Sequence, residues 1–203
     1  MNSKAMLIVF TLFILCHLGV QAKGIVFKEQ MVKERPPYQE KAKMARYIVH
    51  QMDWAVMTTF CTHKPGYPWG EVVSITDVHF NESTGIPLVY ISLMDVGAQD
   101  LELNSKTSFT FSEAQGDYCR THSMDPEDPR CTRVHLFGKM VKLTADEVPA
   151  ARKAMFSRHP EMVEWPESHH FFFAKLQLTQ VEVLDFFGPI SLVSVEDYLK
   201  VKL

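Results

Sequence analysis

The densest collection of potential ligands in this 203-residue chain lies between His159 and His170, where Glu161, Glu164 and Glu167 stand between His159 and the pair His169-His170. Imidazole and carboxylate together form the usual donor set of catalytic zinc. The spacing argues against it. No H-E-x-x-H pair occurs, and Pro160 and Pro166 interrupt any helix that could align two ligands on one face. The segment reads as a helix end followed by a solvated loop, and no metal is expected. Ser74 and Ser157 sit in no G-x-S-x-G elbow, so a hydrolytic nucleophile has no support. No G-x-G-x-x-G or Walker-type loop is present to cradle a phosphate. Cys61, Cys119 and Cys131 lack the close ligand pairs of structural zinc sites. Cys61 lies in an apolar run and reads as a buried free thiol.

Cys119 and Cys131 bracket a polar, proline-rich loop, RTHSMDPEDPR, and read as a disulfide. The N-terminus supplies the oxidising route such a bond needs. Lys4 precedes an almost uninterrupted apolar run from Met6 to Leu18, and Val20-Gln21-Ala22 is a small-residue cleavage site. The run is too short for a membrane span, so residues 1–22 read as a signal peptide. Cys16 leaves with it. No later segment has spanning length. Asn81-Glu82-Ser83 is a glycosylation sequon in an expected loop, which makes Asn81 the candidate glycan site. The formal net charge is −3, and no lysine- or arginine-rich block offers nucleic acid a footprint. Eight of the nine histidines follow residue 22, and many should charge between pH 7 and about 5. Acid-dependent release of a partner is the expectation.

The elements that must position these residues begin after a charged arm, residues 23–36. Pro36-Pro37 can open a helix, and Met44, Tyr47, Ile48 and Met52 continue its stripe to about residue 52. Strands are expected over residues 54–62 and 70–80, around the turn His63-Lys64-Pro65-Gly66, then over 88–93, 106–114 and 133–143. A short helix is expected over residues 98–103. Thr144-Ala145-Asp146-Glu147 resembles a capping box before a helix that ends at His159-Pro160. His169 to Phe186 reads as a strand pair or one bent strand, and Val195 to Val201 as a closing helix. Helices inserted singly among six or so strands favour an antiparallel barrel with peripheral helices over a doubly wound sheet.

Several stretches together resemble the CREG family of secreted glycoproteins. They are Ala45 to His50 followed by Asp53-Trp54, Gly70-Glu71-Val72-Val73-Ser74, the cysteine loop with Asp125-Pro126, Arg158 to Met162, Phe172 to Leu176, and Leu184 to Gly188. The resemblance implies that residues 37–203 form an α+β, mainly β, FMN-binding split β-barrel. It further implies a homodimer, an extracellular or endolysosomal location, and roles in growth and differentiation. The cation-independent mannose-6-phosphate receptor is the implied partner. Relatives often carry a sequon after the Ala-Lys-Leu motif; Gln177-Leu178-Thr179-Gln180 has none.

Related flavin binders place a His-Thr-Arg-Asn-Leu-like run after the third strand, and the matching run here is Gly97-Ala98-Gln99-Asp100-Leu101. A flavin phosphate must be paired with cations and amides to leave water. Gln99 stands where the cation is needed, and Asp100 would bring like charge. The expectation is a binding protein that holds FMN weakly or not at all. The alternative is an FMN-dependent oxidoreductase using Trp54, Ser74, Tyr90 and Gln99, with Arg46, Lys106 or Arg133 replacing the anchor. The apolar faces of residues 54–61 and 171–176 are the expected subunit interface.

Overall fold

The structure, a computed structural model, describes residues 34–79 and 82–203. The signal sequence, most of the arm and Asn81 lie outside them. Pro36–Leu203 forms one compact unit. Pro36-Pro37 opens a turn, with Glu40 N donating to Pro37 O, so helix α1 (Lys41–Gln51) begins later than Pro37. Its stripe of Met44, Ala45, Ile48 and Val49 is wholly buried.

Strand β1 (Trp54–Phe60) alternates as its sequence requires, with Ala55, Met57 and Thr59 inward. It pairs antiparallel with β2 (Pro68–His79), which pairs with β3 (Glu82–Ile91). Helix α2 (Val96–Leu103) leads into β4 (Lys106–Ser112), which lies on the other edge of β1. A short helix α3 (Tyr118–Thr121) sits in the cysteine loop before β5 (Arg133–Lys142). Helix α4 (Val148–Arg158) and two 3₁₀ turns, Pro160–Glu164 and Glu167–His169, precede β6 (Phe172–Leu184). Strand β7 (Ser191–Val193) and helix α5 (Val195–Lys200) close the chain.

Strand order is β3-β2-β1-β4-β5-β6, and β3 pairs with β6 to close a six-stranded antiparallel barrel. The run from His169 to Phe186 holds one long strand. Its first part, residues 172–175, pairs with β3, and residues 181–183 pair with β7 on the same edge. The other edge follows β5 throughout, with a register shift at Phe137/Gly138. Residues such as Met57, Ile75, Phe109, Phe111, Leu136 and Leu176 fill the barrel beneath α1. A second cluster, Leu88, Ala151, Met155, Met162 and Phe173, packs α4 against the outside of the barrel.

The expected capping box forms only in part. Glu147 accepts the Thr144 amide, but the Thr144 hydroxyl donates to the same carboxylate, and the helix begins after Glu147. Pro149 shifts the helix start beyond Thr144. Lys175 and Thr144 together pull the Glu147 carboxyl down to about 2.

Candidate functional site

Antiparallel pairing sets Trp54 opposite Ser74, and Tyr90 opposite Phe173, on the outer side of the barrel. Ser74 and Tyr90 line a crevice of about 410 Å³, together with Glu71, Asp95, Trp165 and Phe171. Trp54 stands outside that lining, at the start of β1, and its carbonyl accepts a bond from Gln115. Gln99 is turned away and donates to the Leu93 carbonyl at 2.8 Å on the exposed face of α2. Two of the four candidate flavin contacts are therefore brought together.

The loop with the histidines and glutamates builds a wall of this crevice. Its turns carry Trp165 and Phe171 onto Tyr90, with ring centroids 6.2 and 4.9 Å from the tyrosine. Phe173 stacks on the tyrosine at 4.5 Å, and Phe156 meets it edge-on at 5.4 Å. Ser92 Oγ donates to the His169 carbonyl, and the His159 ring pairs with the Ile75 carbonyl, so both ends of the loop are tied to the barrel. Among the described residues no group of three His, Cys, Asp or Glu could hold a metal ion.

Sequence reasoning overlooked Glu71. It shares the inward side of β2 with Val73 and Ile75, opposite Met57, and its carboxylate meets the start of α2. Oε2 accepts from Trp69 Nε1 at 2.9 Å and from the Gly97 amide at 3.4 Å. Oε1 is buried with no hydrogen-bond partner among the described residues. A Cβ on residue 97 would stand 2.0 Å from Oε1, so only glycine lets the carboxylate lie this close. A negative group at a helix N-terminus stabilises by about 0.3–1 kcal/mol. The available signal was alternation: an acid in phase with Val73 and Ile75 points inward and must find donors.

Asp100 corrects an expectation. It does not face the crevice; it points into the barrel end and is fully buried. Thr59 Oγ1, Thr62 N and Thr62 Oγ1 donate to it at 2.7, 2.8 and 2.6 Å. Burial favours the neutral acid, but these bonds, with His63 nearby, outweigh it and hold the carboxyl below its usual range. Its charge serves the β1–β2 turn.

Of the stretches that carried the family resemblance, Glu71 to Ser74 and Met162 line the crevice, and the others belong to the same compact unit. A sequence profile described as CREG, beta-barrel matches residues 36–200. The chain is 40% identical to Protein CREG1 of Gallus gallus over 171 residues, covering 82% of this chain and 89% of that relative. It belongs to the CREG family. Protein CREG1 of Homo sapiens is 36% identical over 168 residues, covering 82% and 76%. Protein CREG2 of Homo sapiens is 38% identical over 162 residues, covering 79% of this chain and 56% of its own length. Among solved structures, a heme binding protein from Mycobacterium smegmatis superposes with a TM-score of 0.64 at 20% identity, covering 82% of this chain and 62% of that one. Campylobacter jejuni ChuZ gives 0.60 at 10% identity, covering 85% and 67%. These likenesses establish the split-barrel fold.

In this CREG-family barrel the cysteine loop is closed as expected, by a disulfide between Cys119 and Cys131. Cys61 is a buried free thiol, with its sulfur 3.1 Å from His63 Nδ1. The three substitute anchors are placed elsewhere. Arg46 is buried beneath α5, where it donates to the carbonyls of Ser83, Tyr198 and Val201. Arg133 reaches the Glu127 carbonyl in the cysteine loop, and Lys106 opens on a separate groove. Residues 171–176 present no continuous apolar face, because Phe173, Ala174 and Leu176 are consumed by the chain's own cores. Among the histidines, His135 is held below its ordinary value by burial, so it charges later in acid than an exposed imidazole.

Proposed function

We propose that the mature chain is a secreted or endolysosomal glycoprotein that acts through protein contacts on cell growth and differentiation, without catalysis or tight flavin binding. One observation carries the cofactor part of this reading: the Glu71 carboxylate lies on the Gly97 amide at the start of α2. That helix start holds the run matched to the phosphate-anchoring segment of related flavin binders. A phosphate there would meet a carboxylate in place of a cation, and among the described residues no lysine or arginine lines the crevice. The residues present do not fit a flavin phosphate. Losing one charge-assisted bond alone costs about 1.5–3 kcal/mol, roughly tenfold to a hundredfold in affinity.

The receptor-directed part rests on the resemblance of the sequence to the secreted CREG glycoproteins. A glycan on Asn81 and the cation-independent mannose-6-phosphate receptor are the modification and partner this reading requires. A homodimer would seat on the outer rows of β1 and β2, where Trp54 and Val72 are exposed. The absorbance spectrum of protein purified from a secreting host tests the central claim. The expected spectrum lacks a flavin band, whereas near-equimolar yellow cofactor would return the oxidoreductase reading. Sedimentation and receptor binding with and without the glycan test the remainder.

A further inference from the structure

The larger groove of the barrel shares no lining residue with the crevice. It encloses about 620 Å³ and is walled by the ends of β1, β4 and β5 and the β1–β2 turn. A volume of this size suits a drug-sized ligand. Its walls combine three rings, Phe60, Tyr67 and Phe137, with two lysines, Lys106 and Lys139. Phe60 and Tyr67 are 60% and 69% exposed, an unusual display for rings that could have packed inward.

The lysines decide the chemistry. Lys106 on β4 and Lys139 on β5 are direct cross-strand partners, so their side chains leave the sheet on the same face. Like charges directly opposite each other destabilise an antiparallel pair. Lys142, Lys200 and Lys43 each have a carboxylate in reach, Glu102, Glu196 and Glu40, whereas Lys64, Lys153 and Lys202 are exposed singly; what sets Lys106 and Lys139 apart is that they stand directly opposite each other. Neither Lys106 nor Lys139 has a carboxylate partner among the described residues. Two unneutralised ammonium groups therefore stand side by side at the edge of an aromatic trough, with the hydroxyls of Thr58, Ser108 and Thr179 beside them.

We infer that this groove binds an anionic amphiphile: its acidic head bridges Lys106 and Lys139, and its apolar body lies against Phe60, Tyr67 and Phe137. The anion relieves the repulsion between the lysines, and the rings leave water on binding. The site is independent of the crevice and of the flavin question.

8-Anilinonaphthalene-1-sulfonate, an aromatic sulfonate that fluoresces in apolar surroundings, is the probe for the full mature protein. Saturable binding at one site is expected, and the uncharged analogue N-phenyl-1-naphthylamine should bind more weakly. The Lys106→Gln/Lys139→Gln variant should lose about tenfold in affinity, the sum expected for two exposed charge contacts. Both lysines are solvent-facing, so unfolding does not confound the result; urea midpoints confirm it. Phe60→Ser should weaken the sulfonate and the neutral dye alike. Displacement by dodecanoate identifies a fatty-acid-like ligand, and displacement by 1-naphthoate an aromatic acid. Absence of dye binding, equal affinity in the double lysine variant, or displacement by neither acid overturns the assignment.

Discussion

Replacing Gly85 with alanine should bring this protein close to unfolding, and the cause is a distant arginine. Gly85 has φ +73, where an alanine costs about 1–2 kcal/mol. Its Cβ would also stand 2.3 Å from Arg46 Nε and 2.4 Å from Arg46 Cδ. An exposed arginine would swing aside, but this one is pinned. Nη1 donates to Val201 O at 2.8 Å and Tyr198 O at 3.2 Å, and Nη2 to Ser83 O at 2.7 Å. Displacing the guanidinium gives up at least two charge-assisted bonds of about 1.5–3 kcal/mol each. With the backbone strain the loss is about 4–8 kcal/mol, against a total of about 5–15 kcal/mol for a typical domain. Urea unfolding followed by tryptophan fluorescence, with the disulfide intact, measures it. Gly66→Ala is the control, since Gly66 has φ +91 and no heavy atom within 4 Å of the added carbon. It should lose only the backbone share. Removing the guanidinium in Arg46→Met/Gly85→Ala should cost less than the two single losses combined. Equal midpoints for Gly85→Ala and Gly66→Ala would refute the clamp.

Acid stability should depend on Asp77, which is buried against His50, Ser83 and the Gly85 amide. Burial pushes its carboxyl up, but the bond and charge of His50, the bond from Ser83 and the charge of Arg158 win and hold it below the usual carboxylate range. A carboxyl depressed in the native state stabilises fully above its unfolded value and loses that contribution as pH falls through the native one. The stability gap between the native chain and Asp77→Asn should therefore narrow as pH falls below about 4; a gap unchanged between pH 5 and pH 2 contradicts the assignment. Cys119→Ala/Cys131→Ala should lower stability by about 3 kcal/mol, the chain-entropy value for a loop of this length. Calorimetry of the double variant measures it, and an unchanged melting temperature would show that the loop is ordered without the bond.

The parts of this fold that the sequence announces are those in which local pattern and long-range packing agree. Val56, Thr58 and Phe60 alternate with Ala55, Met57 and Thr59, so β1 could be read residue by residue. Of the helix stripe Met44, Tyr47, Ile48 and Met52, the first and third are fully buried and the other two pack partly buried against the core. The closing pair β3–β6 leaves no local mark, because its partners are about 85 residues apart in sequence. Strand β7 is three residues long and has no period to read. Arg46 lies between buried neighbours on α1, and its role appears only once the chain end and the β2–β3 hairpin converge on it. The crevice was half legible. Ser74 and Tyr90 came from the split-barrel resemblance, and strand pairing sets both on the lining of the crevice. Glu71 was not legible because it lies in β2, 26 residues before the Gly97 amide it meets, and only the fold brings the two together.

The position of Glu71 changes what it would take to reverse the proposed loss of flavin. If the charge at residue 99 were the whole obstacle, Gln99→Arg would suffice. Gln99 instead points at the Leu93 carbonyl, and Asp100 is committed to Thr59 and Thr62. The negative charge at the helix start comes from β2. A guanidinium introduced at residue 99 would have to leave the Leu93 carbonyl to reach the helix start, and there it would meet the Glu71 carboxylate, already on the Gly97 amide, before any ligand. Gln99→Arg alone should therefore gain no measurable affinity for FMN. Removing the carboxylate with Glu71→Ser frees the Gly97 amide and the Trp69 indole, and adding Gln99→Arg then supplies the missing cation. Quenching of flavin fluorescence should appear in the double variant and be at least tenfold weaker in either single one, about the worth of one charge-assisted bond. Tight binding by Gln99→Arg alone would show that Glu71 is incidental to the site.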